Sequence, residues 1–301
     1  MDADDPAEEP PGVAGKGGDR SMKRALFALV FGCVASGVAA FAAGAQSAAP
    51  RVTLTRLDCG TVQVNDLDRF SDTRAYVGGR ATLTNSCYLV RHGDDLLLWD
   101  AGLPAALKGK PASATDPIGA TVRVTLAEQL ARLGVRPEQV GRVGVSHRHL
   151  DHIGQAAAFP GATLLIGAGD ADALRAGEAQ AAAPLARWLT GGGKLEAVRG
   201  DKDVFGDGSV VMLDTPGHTP GHHSLLVRLP GRGNVLLTGD LAHFQRNYDT
   251  NGVPSFNTNR ADTLASLDRF KRMAANLKAT VVIQHEPADV AKLPAFPQAA
   301  E

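Results

Sequence analysis

The sequence predicts a single α/β (α+β) domain richer in strands than in helices, and three observations predict it. Ten short runs of apolar and β-branched residues are bounded by Gly, Asp or Asn, which is the signature of strands. Two longer stretches repeat their apolar residues at helical spacing. No short internal repeat and no linker interrupts residues 51–290, and 44% apolar residues are enough for one sizeable core.

Taken in order, the strand candidates are RVTLTRL from Arg51, TVQV from Thr61, SCYLVRH from Ser86, DLLLWDAG from Asp95 and RVGVS from Arg142. ATLLIG follows from Ala162, then SVVMLDT from Ser209, HSLLVRL from His223, NVLLTGD from Asn234 and TVVIQ from Thr280. The clearest helix begins at TLAEQLARLGV, where Thr125 and Glu128 have the spacing of a capping box and Leu126, Leu130 and Leu133 share a face. The second spans 260–278, with Leu264, Leu267, Phe270 and Met273 or Ala274 along one stripe. Residues 176–194 read as a helical excursion with a loop that overhangs a site.

The N-terminus is set apart from the fold. Residues 22–45 read as a secretory signal peptide: Lys23 and Arg24 start it, an apolar stretch follows, and Ala43-Gly44-Ala45 forms a small-residue cleavage site. Residues 1–21, polar and rich in Pro, Gly and acid, read as a non-native or unstructured extension, and 291–301 as a C-terminal tail. A periplasmic or secreted protein is therefore expected, with no stable membrane association once the signal is removed. Two cysteines then remain, Cys59 and Cys87, either as one disulfide or as two buried thiols. With 31 basic against 32 acidic residues, the chain offers no broad attraction for nucleic acid.

The chemistry concentrates in VSHRHLDHIGQ, which places His147, His149, Asp151 and His152 within six positions where a strand ends. In extended backbone His147 and His149 point the same way and can grip one ion. Asp151 and His152 converge only if the chain turns there, as at the start of a helix. The pattern H-x-H-x-D-H would arise by chance in about one chain of this length in two thousand. Further candidate ligands stand at later strand ends: His218 in LDTPGHTPGHHS, Asp240 in LLTGD and His285 in VVIQHEP. Histidine and carboxylate without thiolate suit zinc, manganese or iron in an open site.

H-x-H-x-D-H, then TPGHTPGH, then a strand-end GD and a late His resembles the metallo-β-lactamase superfamily, and the spacing resembles its N-acyl homoserine lactonases most. The resemblance implies a four-layer αββα sandwich over 51–290. It implies two divalent ions, zinc first, with manganese, cobalt or iron as alternatives. His147, His149 and His218 would hold one ion, Asp151, His152 and His285 the other, and Asp240 would bridge them. The implied activity is the opening of N-acyl homoserine lactones, quorum quenching, by a hydroxide held between the ions. Hydrolysis of an aryl ester, phosphotriester or β-lactam, and non-haem iron oxidoreduction, are the alternatives. The partner implied is a small-molecule lactone or ester; a homodimer is left open.

One position departs from the resemblance. Those lactonases usually carry a tyrosine three residues after the bridging aspartate, whereas GDLAHF puts His243 there. Histidine can donate a hydrogen bond or a proton from the same place, so Asp151 and His243 are the candidate catalytic residues. His222 is expected to bond nearby backbone at a strand start, His223 and His92 to occupy ordinary surface or strand positions, and Asp100 to stand behind a ligand or form a turn.

Overall fold

The structure is a computed structural model that describes residues 50–177 and 183–301; the signal and the N-terminal extension lie outside the described residues. Its larger sheet comprises β1 (Val52–Val64), β2 (Ala81–His92), β3 (Asp95–Trp99), β4 (Ile118–Thr121), β5 (Arg142–Gly144), β6 (Thr163–Gly167) and β7 (Leu195–Val198). The smaller comprises β8 (Lys202–Asp203), β9 (Val210–Asp214), β10 (His223–Leu229), β11 (Gly233–Leu237) and β12 (Thr280–Val282). Their strand orders are β4-β1-β2-β3-β5-β6-β7 and β12-β11-β10-β9-β8.

Side-chain alternation builds the layers. Along β2 and β3, Tyr88, Val90, Leu97 and Trp99 face Met212, Leu225, Val227 and Leu237 of the other sheet, forming the core between the sheets. Their neighbours Cys87, Leu89, Leu96 and Leu98 point the opposite way. There they meet Leu126 and Leu130 of α1 (Leu126–Arg132), Ile153 of α2 (Leu150–Ile153), and Ala171 and Leu174 of α3 (Ala168–Arg175). On the far side, Leu213, Leu226 and Leu236 bury against Leu267, Phe270 and Ala274 of the helix Arg260–Asn276. The result is helix, sheet, sheet, helix: the αββα sandwich.

Several sequence expectations take their physical form here. The capping box is present: the Thr125 side chain accepts from the Glu128 N–H and the Glu128 carboxylate accepts from the Thr125 N–H. On the long helix the buried stripe turns toward Thr263 and Ser266, leaving Leu264 half-buried. Their hydroxyls are satisfied by Asn259 O at 3.0 Å and Pro216 O at 2.7 Å, so burying them costs little. RVTLTRL and TVQV are one strand rather than two, joined through a bulge between Asp58 and Gly60 where Gly60 has φ +120°. Short β4, β7 and β8 escape sequence reading because runs of four, four and two residues carry too few apolar positions to show a period.

Two segments differ from expectation. Residues 291–301 are docked, not a free tail: Ala300 and Leu54 exchange backbone hydrogen bonds of 2.8 and 2.9 Å, and Leu293 is buried in the core between the sheets. Within 176–194, residues 178–182 lie outside the described residues. The described part turns into the helix Ala186–Leu189, whose Trp188 is buried in the helix-side core and donates to Ala162 O at 2.9 Å, so it overhangs no site.

Cys59 and Cys87 form a disulfide across β1 and β2, with Cα atoms 5.7 Å apart. Its 28-residue separation corresponds to a loop-closure contribution of about 3 to 4 kcal/mol. The double variant Cys59→Ala/Cys87→Ala is expected to lose about that much in denaturant unfolding. A loss below about 1 kcal/mol would show that the bridge constrains little.

Candidate metal centre

All seven predicted ligands converge at one end of the sandwich, where β5, β9, β11 and β12 run out into loops. Val145 N–H still bonds Leu165 O, so the chain stays in the sheet until Ser146 and then turns. His149 caps α2, and that turn swings Asp151 and His152 together. His218 sits in the TPGHTPGH loop after β9, Asp240 in the 3-10 turn Gly239–Leu241 after β11, and His285 just beyond β12.

Ligand atoms of His147, His149, His218 and Asp240 form one group and those of Asp151, His152 and His285 another, each drawn within 4.8 Å. In the first group His149 Nδ1 lies 2.9 Å from His147 Nε2 and 3.1 Å from His218 Nε2. The two Asp240 oxygens divide between the groups. Oδ2 is 3.6 Å from His147 Nε2 and 3.4 Å from His218 Nε2, while Oδ1 is 3.2 Å from His152 Nε2 and 3.0 Å from His285 Nε2. Asp151 Oδ2 completes the second group, 3.6 Å from His152 Nε2 and 3.7 Å from His285 Nε2.

These separations fit two cations. Tetrahedral bonds of about 2.0–2.1 Å put neighbouring ligand atoms about 3.4 Å apart, close to the spacing seen here. Buried His152 Nε2 and Asp240 Oδ1 approach closely yet have no hydrogen-bond partner, so they face a common centre and not each other.

The field agrees. Burial holds His147 and His218 well below their ordinary value and lowers His149, which keeps the first set neutral and ready to coordinate. Burial alone would raise Asp240, but His152, His243, His285 and His147 around it hold it well below the carboxylate range. Burial likewise opposes charge on His152, and Asp240, Asp151 and Asp100 overcome it and raise it well above its ordinary value.

Outer partners orient the rings. Asp100 does both things considered for it: it turns the chain with φ +61°, and its Oδ2 lies 3.0 Å from His152 Nδ1 while Oδ1 accepts from the Ser146 N–H at 2.7 Å. Thr84 O takes His285 Nδ1 at 2.8 Å. His222 holds the bridging residue: the Asp240 N–H donates to its Nε2 at 2.9 Å, its Nδ1 lies 3.0 Å from Thr215 O, and burial pushes it down to about 3. His223 is not a surface residue; it is buried, and its N–H donates to Ser146 O at 2.7 Å, tying β10 to the end of β5. His92 ends β2 in a 2.7 Å pair with Asp207.

Asp170 and Asn85 were not anticipated. Asn85 Nδ2 donates to Asp151 O at 2.9 Å, and Asp170 is a fully buried carboxylate between two ligand loops. The available signal for Asp170 was its glycine context, GAGD after a strand, since such glycines mark close backbone approach.

A cavity of ≈ 360 Å³ opens over the centre. His149, Asp151, Asp240, His243 and His285 line its floor, and Val62, Phe70, Leu83, Leu103 and Phe256 are among its walls. Phe244 and Leu107 pack in the cluster beside it. His243 is buried edge-on to Phe70 at 5.0 Å, its Nε2 3.1 Å from Asp240 Oδ2, and neither ring nitrogen has a hydrogen-bond partner.

An αββα sandwich with two adjoining His/Asp ligand sets sharing one carboxylate defines a dinuclear metal-binding protein of the hydrolase type. The chain belongs to the metallo-beta-lactamase superfamily, whose family model matches residues 81–285. It is 35% identical over 187 residues to the N-acyl homoserine lactonase AttM of Rhizobium radiobacter, covering 56% of this chain and 68% of that one. It is 28% identical over 228 residues to an N-acyl homoserine lactonase of Bacillus cereus, covering 73% and 88%. Among solved structures it resembles an N-acyl homoserine lactone hydrolase with N-hexanoyl-L-homoserine bound at the catalytic metal centre (TM-score 0.72, 22% identity, 84% of this chain and 100% of that one). It also resembles AidC, a dizinc quorum-quenching lactonase (TM-score 0.60, 19% identity, 83% and 90%).

Proposed function

We propose that this protein opens the lactone ring of N-acyl homoserine lactones, giving the N-acyl homoserine, and so quenches quorum signals. The observation that carries this is Asp240, whose two oxygens face the two ligand sets on the floor of a cavity with apolar walls. The relatives named above support the same substrate class. When bound, two divalent ions would polarise the lactone carbonyl and make water acidic enough to lose a proton near neutral pH. Zinc is the proposed metal, because the donors are histidine and carboxylate with no thiolate and a similar lactonase is dizinc.

The chain's own residues do the rest. His147, His149 and His218 would hold one ion and Asp151, His152 and His285 the other, with Asp240 keeping the two sets at a constant separation. Val62, Phe70, Leu83, Leu103 and Phe256 bury the acyl chain and keep water from it. The leaving alkoxide needs a proton, and Asp151 and His243 both border the cavity. The His243 nitrogens are not committed to another partner, so the ring can hold a proton and deliver it there. His243→Phe should keep the ring packing and lower kcat by about 100-fold with little change in KM, and His243→Tyr should restore most of the loss. An unchanged kcat in His243→Phe would remove His243 from the chemistry.

Export is part of the proposal: residues 22–45 carry the pattern of a signal peptide, and a disulfide suits an oxidising compartment. The functional test is ring opening of N-acyl homoserine lactones of six to twelve acyl carbons, followed by proton release, beside an aryl ester, a phosphotriester and a β-lactam. Lactones should lead the panel and lose turnover on chelation. Faster turnover of any other class would move the function there.

A further inference from the structure

We propose that Asp170 is a positioning residue for the first ligand set and not for the second. The inference rests on the two-site reading of the ligands. Asp170 lies in the first turn of α3, fully buried, and touches neither ligand set. Its Oδ2 accepts from the Arg148 N–H at 3.0 Å and the Thr219 Oγ1–H at 2.9 Å; its Oδ1 accepts from the Gly221 N–H at 3.0 Å and Arg148 Nη1 at 3.3 Å. Arg148 is the residue between His147 and His149, and Thr219 directly follows His218. One carboxylate therefore straps together the two loops that supply all three histidines of the first set.

The backbone is shaped for this contact. A Cβ at Gly167 would stand 1.8 Å from Gly221 O, one at Gly169 2.6 Å from Pro220 O, and one at Gly221 2.4 Å from the Asp170 N. Three glycines let the start of α3 press against the Pro220–Gly221 turn, which brings the carboxylate within reach of its donors. The second set has partners of its own, Thr84 O on His285 and Asn85 on the backbone of Asp151, while Asp100 serves both sets through His152 and the Ser146 N–H.

The test counts and weighs metal, not activity. Chelated full-length protein is titrated with cobalt(II), and the two ions are resolved by chelator competition and by visible absorption. His149→Ala marks the first-site band and His285→Ala the second. In Asp170→Asn an amide NH₂ faces hydrogen-bond donors, and the first-site ion should bind about 10- to 100-fold more weakly while the second keeps its wild-type affinity. Asp100→Asn should weaken both ions, since Asp100 faces His152 and also accepts from the Ser146 N–H beside His147. Thr219→Val removes a single strap donor without changing side-chain shape, so it should weaken the same first-site ion by a smaller factor, and it decides the matter if Asp170→Asn does not fold. Equal weakening of both ions, no weakening, or loss of the second-site band in Asp170→Asn would overturn the proposal. A wild-type chain that binds fewer than two ions would instead sink the two-site reading itself.

Discussion

Asp240→Asn is expected to lower kcat/KM for lactone opening by more than about 100-fold and to leave the protein with at most one tightly held ion. Substituting a partner that only orients a ligand costs about 10- to 100-fold in metal affinity or activity, and Asp240 is worth more because each of its oxygens faces a different set. The amide is the same size and keeps the backbone bond to His222, so the fold should survive. What is lost is one anionic oxygen and the negative charge that the surrounding histidines converge on. Metal analysis alongside kinetics checks both halves. Full turnover in a variant that retains one ion would mean that the second set is dispensable.

Gly167→Ala is expected to be the most damaging single methyl in the described chain. Gly167 ends β6, and its added Cβ would lie 1.8 Å from the carbonyl oxygen of Gly221, far inside contact distance and against backbone that no rotamer change can move. Overpacking of this kind costs about 1–3 kcal/mol and sometimes more, and here the chain that must retreat carries His218. Thermal unfolding should show a drop of several degrees together with reduced zinc content. Gly161→Ala is the control, since nothing lies within 4 Å of its Cβ position and its melting should be unchanged. A stable, fully metallated Gly167→Ala would show that the β6 end and the Pro220–Gly221 turn are not tightly coupled.

Much of the site was legible because its chemistry is written in residue types at strand ends. His147, His149, Asp151 and His152 fall within six consecutive positions, and His218, Asp240 and His285 each follow an apolar run; the fold only had to gather those ends. What the sequence withheld was contact information. Beyond the glycines before it, nothing local distinguishes Asp170 from a solvated acid, because its donors are 22, 49 and 51 positions away. His223 does begin β10, as a strand position, but its burial was not legible because its partner, Ser146 O, belongs to the other sheet's loop. The disulfide was open for the same reason, since pairing needs the β1–β2 register that only the sheet supplies. Short strands such as β8 form because neighbours offer hydrogen bonds, and two residues carry no period of their own.

The proposed reaction needs two ions working together across Asp240 and no nucleophile supplied by the protein. Chelated protein should therefore be titrated with zinc while the opening of N-hexanoyl homoserine lactone is followed. Turnover is predicted to stay near zero without metal and to reach its plateau only at two equivalents per chain. Full turnover at one equivalent, or any substantial turnover in metal-free protein, would contradict it.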